Sequence, residues 1–148
     1  MDDNFKLSSE VFEEILNEQL NFNKSVKLRV TGNSMIPFLA DKRDYVFLEK
    51  FNGKAKKGDI LFYKRANSKC VLHRVIKATD TSFWFIGDSQ LEIEGPIDIN
   101  QILAECNEVI RKGKTVKKND PVWNFFSKIW INIINFRHPV IKFIGKVK

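Results

Sequence analysis

Between Val26 and Ile110 the chain is cut into short runs of alternating apolar residues, and that spacing limits the fold more than any other feature. Val26-Lys27-Leu28-Arg29-Val30 alternates, as does Tyr45-Val46-Phe47-Leu48-Glu49 beyond the polar loop Ala40-Asp41-Lys42-Arg43-Asp44. Asn52-Gly53 marks a turn, and Lys57-Gly58-Asp59 leads into Ile60-Leu61-Phe62-Tyr63. A hairpin tip at Ala66-Asn67-Ser68 precedes the run from Cys70 to Ile76, and a turn at Thr79-Asp80 precedes the run from Thr81 to Ile86, which Gly87-Asp88-Ser89 ends. One more strand is expected from Glu105 to Ile110. Short strands spaced about 10 residues apart and joined by turn signals predict a mainly β fold, an antiparallel sheet or small barrel.

Helices are expected at both ends. Ser8 or Ser9 can cap the first, with Glu10, Glu13 and Glu14 in its early turns, where carboxylates complement the helix dipole. Val11, Phe12, Ile15, Leu16 and Leu20 form its apolar stripe. Asp120-Pro121 opens a second helix, and from Val122 to Phe136 the polar residues Asn124, Ser127, Lys128, Asn132 and Asn135 share one sector. The rest is apolar, which predicts a helix lying in a membrane interface, with Trp123, Phe126 and Trp130 as its interface residues. Burial against the sheet or at a dimer contact is the alternative. The chain therefore divides into a β domain with its N-terminal helix, residues 1–118, and a basic amphipathic segment, residues 119–148.

Charge follows that division. From Arg111 onward there are ten Lys and Arg against one acid, Asp120, whereas the preceding residues hold 15 basic and 17 acidic side chains. The basic tail points to peripheral contact with an anionic membrane, with no nucleic acid expected. At 148 residues the chain is one domain, and 43% hydrophobic content with 13 Phe argues against disorder. Cys70 and Cys106 are far apart and lack metal-ligand spacing, so no metal or other cofactor is expected, and a reduced, cytoplasmic setting fits. Residues 1–20 carry acids rather than the basic and apolar regions of a signal peptide.

The chemistry concentrates in Val30-Thr31-Gly32-Asn33-Ser34-Met35-Ile36-Pro37-Phe38-Leu39. A serine after a glycine-containing turn can aim its hydroxyl and its own N–H at one point, as an acyl-transfer nucleophile and its oxyanion donor must. Asn33, Met35 and Pro37 are the flanking residues expected to bind the oxyanion or substrate. His73, in an alternating strand with Val71 and Val75, can act as base, and Asp88 closes the next strand as a possible orienting carboxylate.

Four ordered motifs resemble the signal peptidase I clan, which includes the LexA-type self-cleaving repressors. Gly32-Asn33-Ser34-Met35-Ile36-Pro37-Phe38-Leu39 is similar to its nucleophile box, and Lys57-Gly58-Asp59-Ile60-Leu61 to its Gly-Asp strand. His73-Arg74-Val75-Ile76 is similar to the box carrying the base, and Gly87-Asp88-Ser89-Gln90 to its Gly-Asp-Asn box. A histidine base resembles the archaeal and endoplasmic-reticulum type rather than the lysine type. The resemblance implies the signal peptidase-LexA fold, a Ser34/His73 dyad supported by Asp88, and Glu94 as the counterpart of a second acid. Phe38 departs from the family's threonine, Gly32 stands where some members place a serine hydroxyl, and an N-terminal membrane anchor is not read. The expected activity is serine endopeptidase cleavage of a leader or signal segment in a polypeptide substrate. A non-catalytic peptide- or membrane-binding module on the same fold is the alternative. A self-cleaving repressor would require a DNA-binding domain ahead of the serine, and only about 30 residues precede it.

Overall fold

The computed structural model describes residues 9–133. Helix α1 (Ser9–Asn21) is followed by eight strands: β1 (Val26–Arg29), β2 (Tyr45–Glu49), β3 (Ile60–Lys64), β4 (Cys70–Ala78), β5 (Ser82–Ile86), β6 (Glu94–Asp98), β7 (Ile102–Arg111) and β8 (Lys114–Lys117). They form one antiparallel sheet in the order β1-β2-β7-β3-β4-β5-β6, with β8 paired to β7. The sheet stays open, so of the two architectures expected the sheet is the one observed, and β1 and β6 are its edges. Pro96 helps explain why β6 lies outermost: a residue with no N–H cannot serve a strand paired on both sides.

Two strands escape the alternation pattern. Gly95 and Pro96 make β6 read as a turn, and β8 buries only Val116. Pairing supplies what local pattern lacks. At the β7–β8 turn Lys112 and Gly113 both have positive φ, 52° and 80°, the geometry that lets a two-residue turn follow the twist of a hairpin.

Side chains alternate across the strands, so the sheet buries both faces. One face carries Val46, Leu48, Ile60, Ala104, Cys106 and Val109, packed with Leu16 and Leu20 of α1 and with Met35, Phe38 and Leu39. The other carries Leu61, Tyr63, Val75, Phe83, Phe85 and Ile97. Strand β3 feeds both cores, Ile60 to the first and Leu61 and Tyr63 to the second. Only part of the α1 stripe is buried; Val11 and Ile15 remain exposed. Both cysteines are free.

The C-terminal segment corrects an expectation. Pro121 opens α2 (Pro121–Asn124), which continues as a π-helical turn, Phe125–Ile129, and a 3-10 turn, Trp130–Asn132. The expected helix continued through Ile134, Asn135 and Phe136, and these, like the Ser8 cap, lie outside the described residues. Trp123, Phe126 and Trp130 are not interface residues: all three are buried in the first core. Phe38 anchors two of them, its ring edge-on to Trp123 at 5.6 Å and tilted against Phe126 at 5.0 Å, and Trp130 lies edge-on to Phe126 at 6.1 Å. The backbone of Ser127 lies so near Gly58 that a Cβ on Gly58 would meet its carbonyl oxygen at 2.6 Å. Among the described residues no helix is long and apolar enough to cross a membrane.

Replacing Trp123, which is 2% exposed, with Ala should lower stability in urea unfolding by about 3–5 kcal/mol. Ile129→Ala, at a side chain 54% exposed on the same segment, should change it by no more than about 0.5 kcal/mol. Equal losses would contradict this packing.

Candidate functional site

The turn after β1 is built to hold one serine. Val30 N–H donates to Asp44 O, and Lys42 N–H to Val30 O, which closes the loop at its base. Gly32, at φ 84°, turns the chain while its N–H donates to the Asp41 carboxylate at 2.7 Å. Beyond Ser34, Met35, Phe38 and Leu39 drop into the first core, and Leu39 N–H donates to Met35 O. Arg111 reaches across from β7 and donates to the carbonyls of Phe38 and Pro37 at 2.7 and 3.1 Å. Ser34 is left half-buried, and among the described residues neither its hydroxyl nor its N–H has a hydrogen-bond partner.

A second loop clamps this turn from behind. Ser89 N–H donates to Ser34 O at 3.0 Å, and the Ser89 hydroxyl to Asn33 O at 2.8 Å. Gly87 approaches so closely that a Cβ there would lie 2.5 Å from the Ser34 carbonyl oxygen. The clamp is held in turn by Arg74. Its Nε and Nη2 donate to the two Asp88 carboxylate oxygens at 2.9 Å each, and its Nη1 to Gly58 O at 2.8 Å. Trp130 Nε1–H donates to Asp88 O at 2.7 Å, bringing the C-terminal segment into the same network. Asp88 and Arg74 are both fully buried.

This geometry corrects the role expected of Asp88. Neighbouring residues on a strand face opposite sides of the sheet. Arg74 packs toward Phe38 in the first core, its guanidinium 5.3 Å from that ring. His73 faces the second core, where its ring lies edge-on to Tyr63. Asp88 follows Arg74, and both its oxygens are engaged there, so it does not orient the imidazole. It braces the serine turn instead.

The imidazole has other partners. Tyr63 Oη lies 3.1 Å from His73 Nδ1 and donates to Glu94 Oε1 at 2.9 Å. Arg65 completes the row by donating to both Glu94 oxygens at 2.8 Å. Glu94 itself stands 4.0 Å from Nδ1, so of the two acids expected it is Glu94 that lies on the histidine side. Tyr63 and Arg65 were not expected. The available signal was register: Leu61 of β3 pairs with His73, which puts Tyr63 one same-face step away.

Ser34 and His73 line one cleft of about 500 Å³, although no direct hydrogen bond joins them. Its walls include Val30, Met35, Val46, Phe62 and Leu72, and it opens beside β1. Of the flanking residues expected to bind substrate, Met35 lines the cleft, whereas Asn33 and Pro37 do not and serve through their carbonyls in bracing the turn. Among the described residues no group of three His, Cys, Asp or Glu side chains could hold a metal ion.

Burial dominates the electrostatics. Desolvation pulls the His73 pKa down to about 4; nearby Glu94 opposes that and Arg65 adds to it. His73 is therefore neutral at neutral pH. Its hydrogen bonds from Arg65 and Tyr63 hold Glu94 below the usual carboxylate range. Burial, reinforced by Glu94, pushes the Tyr63 phenol well above its ordinary value.

Asp88→Asn should cost about 3–5 kcal/mol of stability, because it leaves the buried Arg74 charge uncompensated. Acid should also weaken the fold through His73. Between pH 6.5 and about 4 the unfolded chain protonates this residue and the native state does not, so stability falls as pH falls, by about 3 kcal/mol across that window. In urea titrations that share of the pH slope should vanish in His73→Gln; an unchanged slope would contradict the burial described.

No family model matches the chain, and no curated protein matches it.

Proposed function

We propose that this chain is a serine endopeptidase of the signal peptidase type that cuts a leader or signal segment from a precursor polypeptide. One observation carries the reading: Ser34, with hydroxyl and N–H both uncommitted, shares a cleft with a neutral histidine whose Nδ1 is already engaged. Nε2 is then the nitrogen left to act on the serine.

The steps follow. Ser34 Oγ attacks the scissile carbonyl carbon while His73 Nε2 takes the hydroxyl proton. The Ser34 N–H donates to the oxyanion that forms. Collapse breaks the C–N bond, and Nε2 returns the proton to the leaving amine. Water then attacks the acyl carbon as Nε2 takes its proton, the C–Oγ bond breaks, and Nε2 returns the proton to Ser34 Oγ. The missing Ser34–His73 hydrogen bond is compatible with this sequence, because catalytic hydrogen bonds often tighten only when substrate is bound.

The substrate has a physical outline. Among the described residues strand β1 pairs only with β2, and its outer edge can accept an extended segment as an added strand. The apolar part of the cleft wall, Val30, Met35, Val46, Phe62 and Leu72, favours apolar residues beside the serine. A peptide-binding module without catalysis is the second reading, favoured by the same missing hydrogen bond.

Incubation with a library of extended apolar peptides, read by mass spectrometry for new termini, separates the two. Ser34→Ala and His73→Ala should each reduce cleavage by at least ~10³-fold. Equal processing by wild type and both variants would rule out the dyad, and binding without cleavage by the wild type would favour the module.

A further inference from the structure

We propose that Tyr63 is a positioning residue that fixes the tautomer of His73, with the Glu94–Arg65 pair fixing Tyr63 in turn. The inference rests on the Ser34–His73 reading only for its catalytic consequence; its structural content stands alone.

The number of hydrogens along the row fixes the tautomer. Glu94 is held as a carboxylate by two hydrogen bonds from Arg65, so it can only accept. The Tyr63 hydroxyl has one hydrogen, and the 2.9 Å contact with Glu94 Oε1 uses it. Toward His73, at 3.1 Å, the phenol oxygen then has only lone pairs to offer. A neutral imidazole must meet it with Nδ1–H. The remaining nitrogen, Nε2, carries the lone pair that the reaction requires. If the phenol hydrogen pointed at Nδ1, Nε2 would hold the proton and could not take another from Ser34.

The row also handles the charge that develops. When Nε2 accepts the Ser34 proton, the imidazolium keeps both its hydrogens, and Nδ1–H strengthens its bond to the Tyr63 oxygen. Tyr63 retains its own proton, because burial and Glu94 hold its pKa far above the ordinary phenol value. No proton travels along the row. The nearby carboxylate acts through the polarised phenol, as an orienting acid does through direct contact in a Ser-His-Asp triad. Among the described residues the titratable and charged groups facing the imidazole are Tyr63 and Arg65 from the β3 side and Glu94 from β6.

Tyr63 is well held for this purpose. Its side chain is fully buried, stacked on Phe85 with ring centroids 4.1 Å apart and planes at 19°. Tyr63→Phe keeps that stack and removes only the oxygen.

Imidazole ¹⁵N NMR at pH 7 on the full chain tests the proposal without a substrate. The chain has two histidines, His73 and His138, and the His73 signals are assigned by their loss in His73→Gln. In wild type, His73 should be neutral with the proton on Nδ1. In Tyr63→Phe that preference should collapse to a mixture. In Glu94→Ala the freed phenol hydrogen should turn toward Nδ1 and shift the proton to Nε2. An Nε2–H tautomer in wild type, or an unchanged Nδ1–H tautomer in both variants, would overturn the proposal.

The peptide assay supplies a second readout. Tyr63→Phe should lower kcat by on the order of 10-fold to 100-fold with KM unchanged, short of the ~10⁴-fold loss when a serine protease histidine is held wholly in the wrong tautomer. Wild-type kcat in Tyr63→Phe would overturn the catalytic consequence. Absence of cleavage in wild type together with the Nδ1–H tautomer would defeat the peptidase reading and leave the tautomer lock standing.

Discussion

The buried contact between Arg74 and Asp88 is the constraint on which the site's geometry depends. Two charges fully removed from water survive only when each is met by hydrogen bonds, and here they are. The guanidinium spends its donors on both Asp88 oxygens and on Gly58 O, while Trp130 takes the Asp88 carbonyl. Strand β4, the loop before β3, the loop after β5 and the C-terminal segment thus share one node. The Gly87–Gln90 stretch, held there, presses on the Ser34 carbonyl and leaves the serine hydroxyl and N–H uncommitted.

One strand divides the labour of the site. On β4, His73 and Arg74 are adjacent and face opposite cores, so the same register step places a titratable group on one side and its scaffold on the other. The side carrying Arg74 is aromatic and close-packed. Phe38 meets Trp123 and Phe126 there, and its larger ring fills space that a threonine would leave open. The side carrying His73 holds a polar row, from the imidazole through Tyr63 and Glu94 to Arg65. Its inner end, His73 and Tyr63, is buried in a low dielectric, which is why the imidazole stays neutral and the phenol keeps its proton.

Much of the framework was legible in the chain. The alternating runs placed β2 at its observed limits, and β3, β4 and β5 within about two residues at each end. The motif around Ser34 was recognisable because a glycine turn, a serine and anchoring apolar residues are local features. Two strands were not legible: β6 holds Gly95 and Pro96, and β8 is largely charged, so each exists through pairing with a neighbour. The C-terminal segment misled for a related reason. A wide apolar face looks the same whether it meets a membrane or a core, and the hydrophobic pattern carries no record of what covers it.

Sequence alone determined the period of the strands, the glycine turn that holds Ser34, and the presence of a histidine and several acids on or near strands of the same sheet. Only the tertiary structure decided which acid stands where. Asp88 looked like the partner of His73 because both lie near strands of one sheet, but partnership depends on the face each side chain takes and on cross-strand register. Side-chain alternation sent Asp88 to Arg74 and left His73 to Tyr63, whose own acid, Glu94, arrives on an edge strand with no strand-like pattern of its own. Hydrogen bonds between distant strands require side chains held within a few ångströms of one another, and one-dimensional spacing does not encode that.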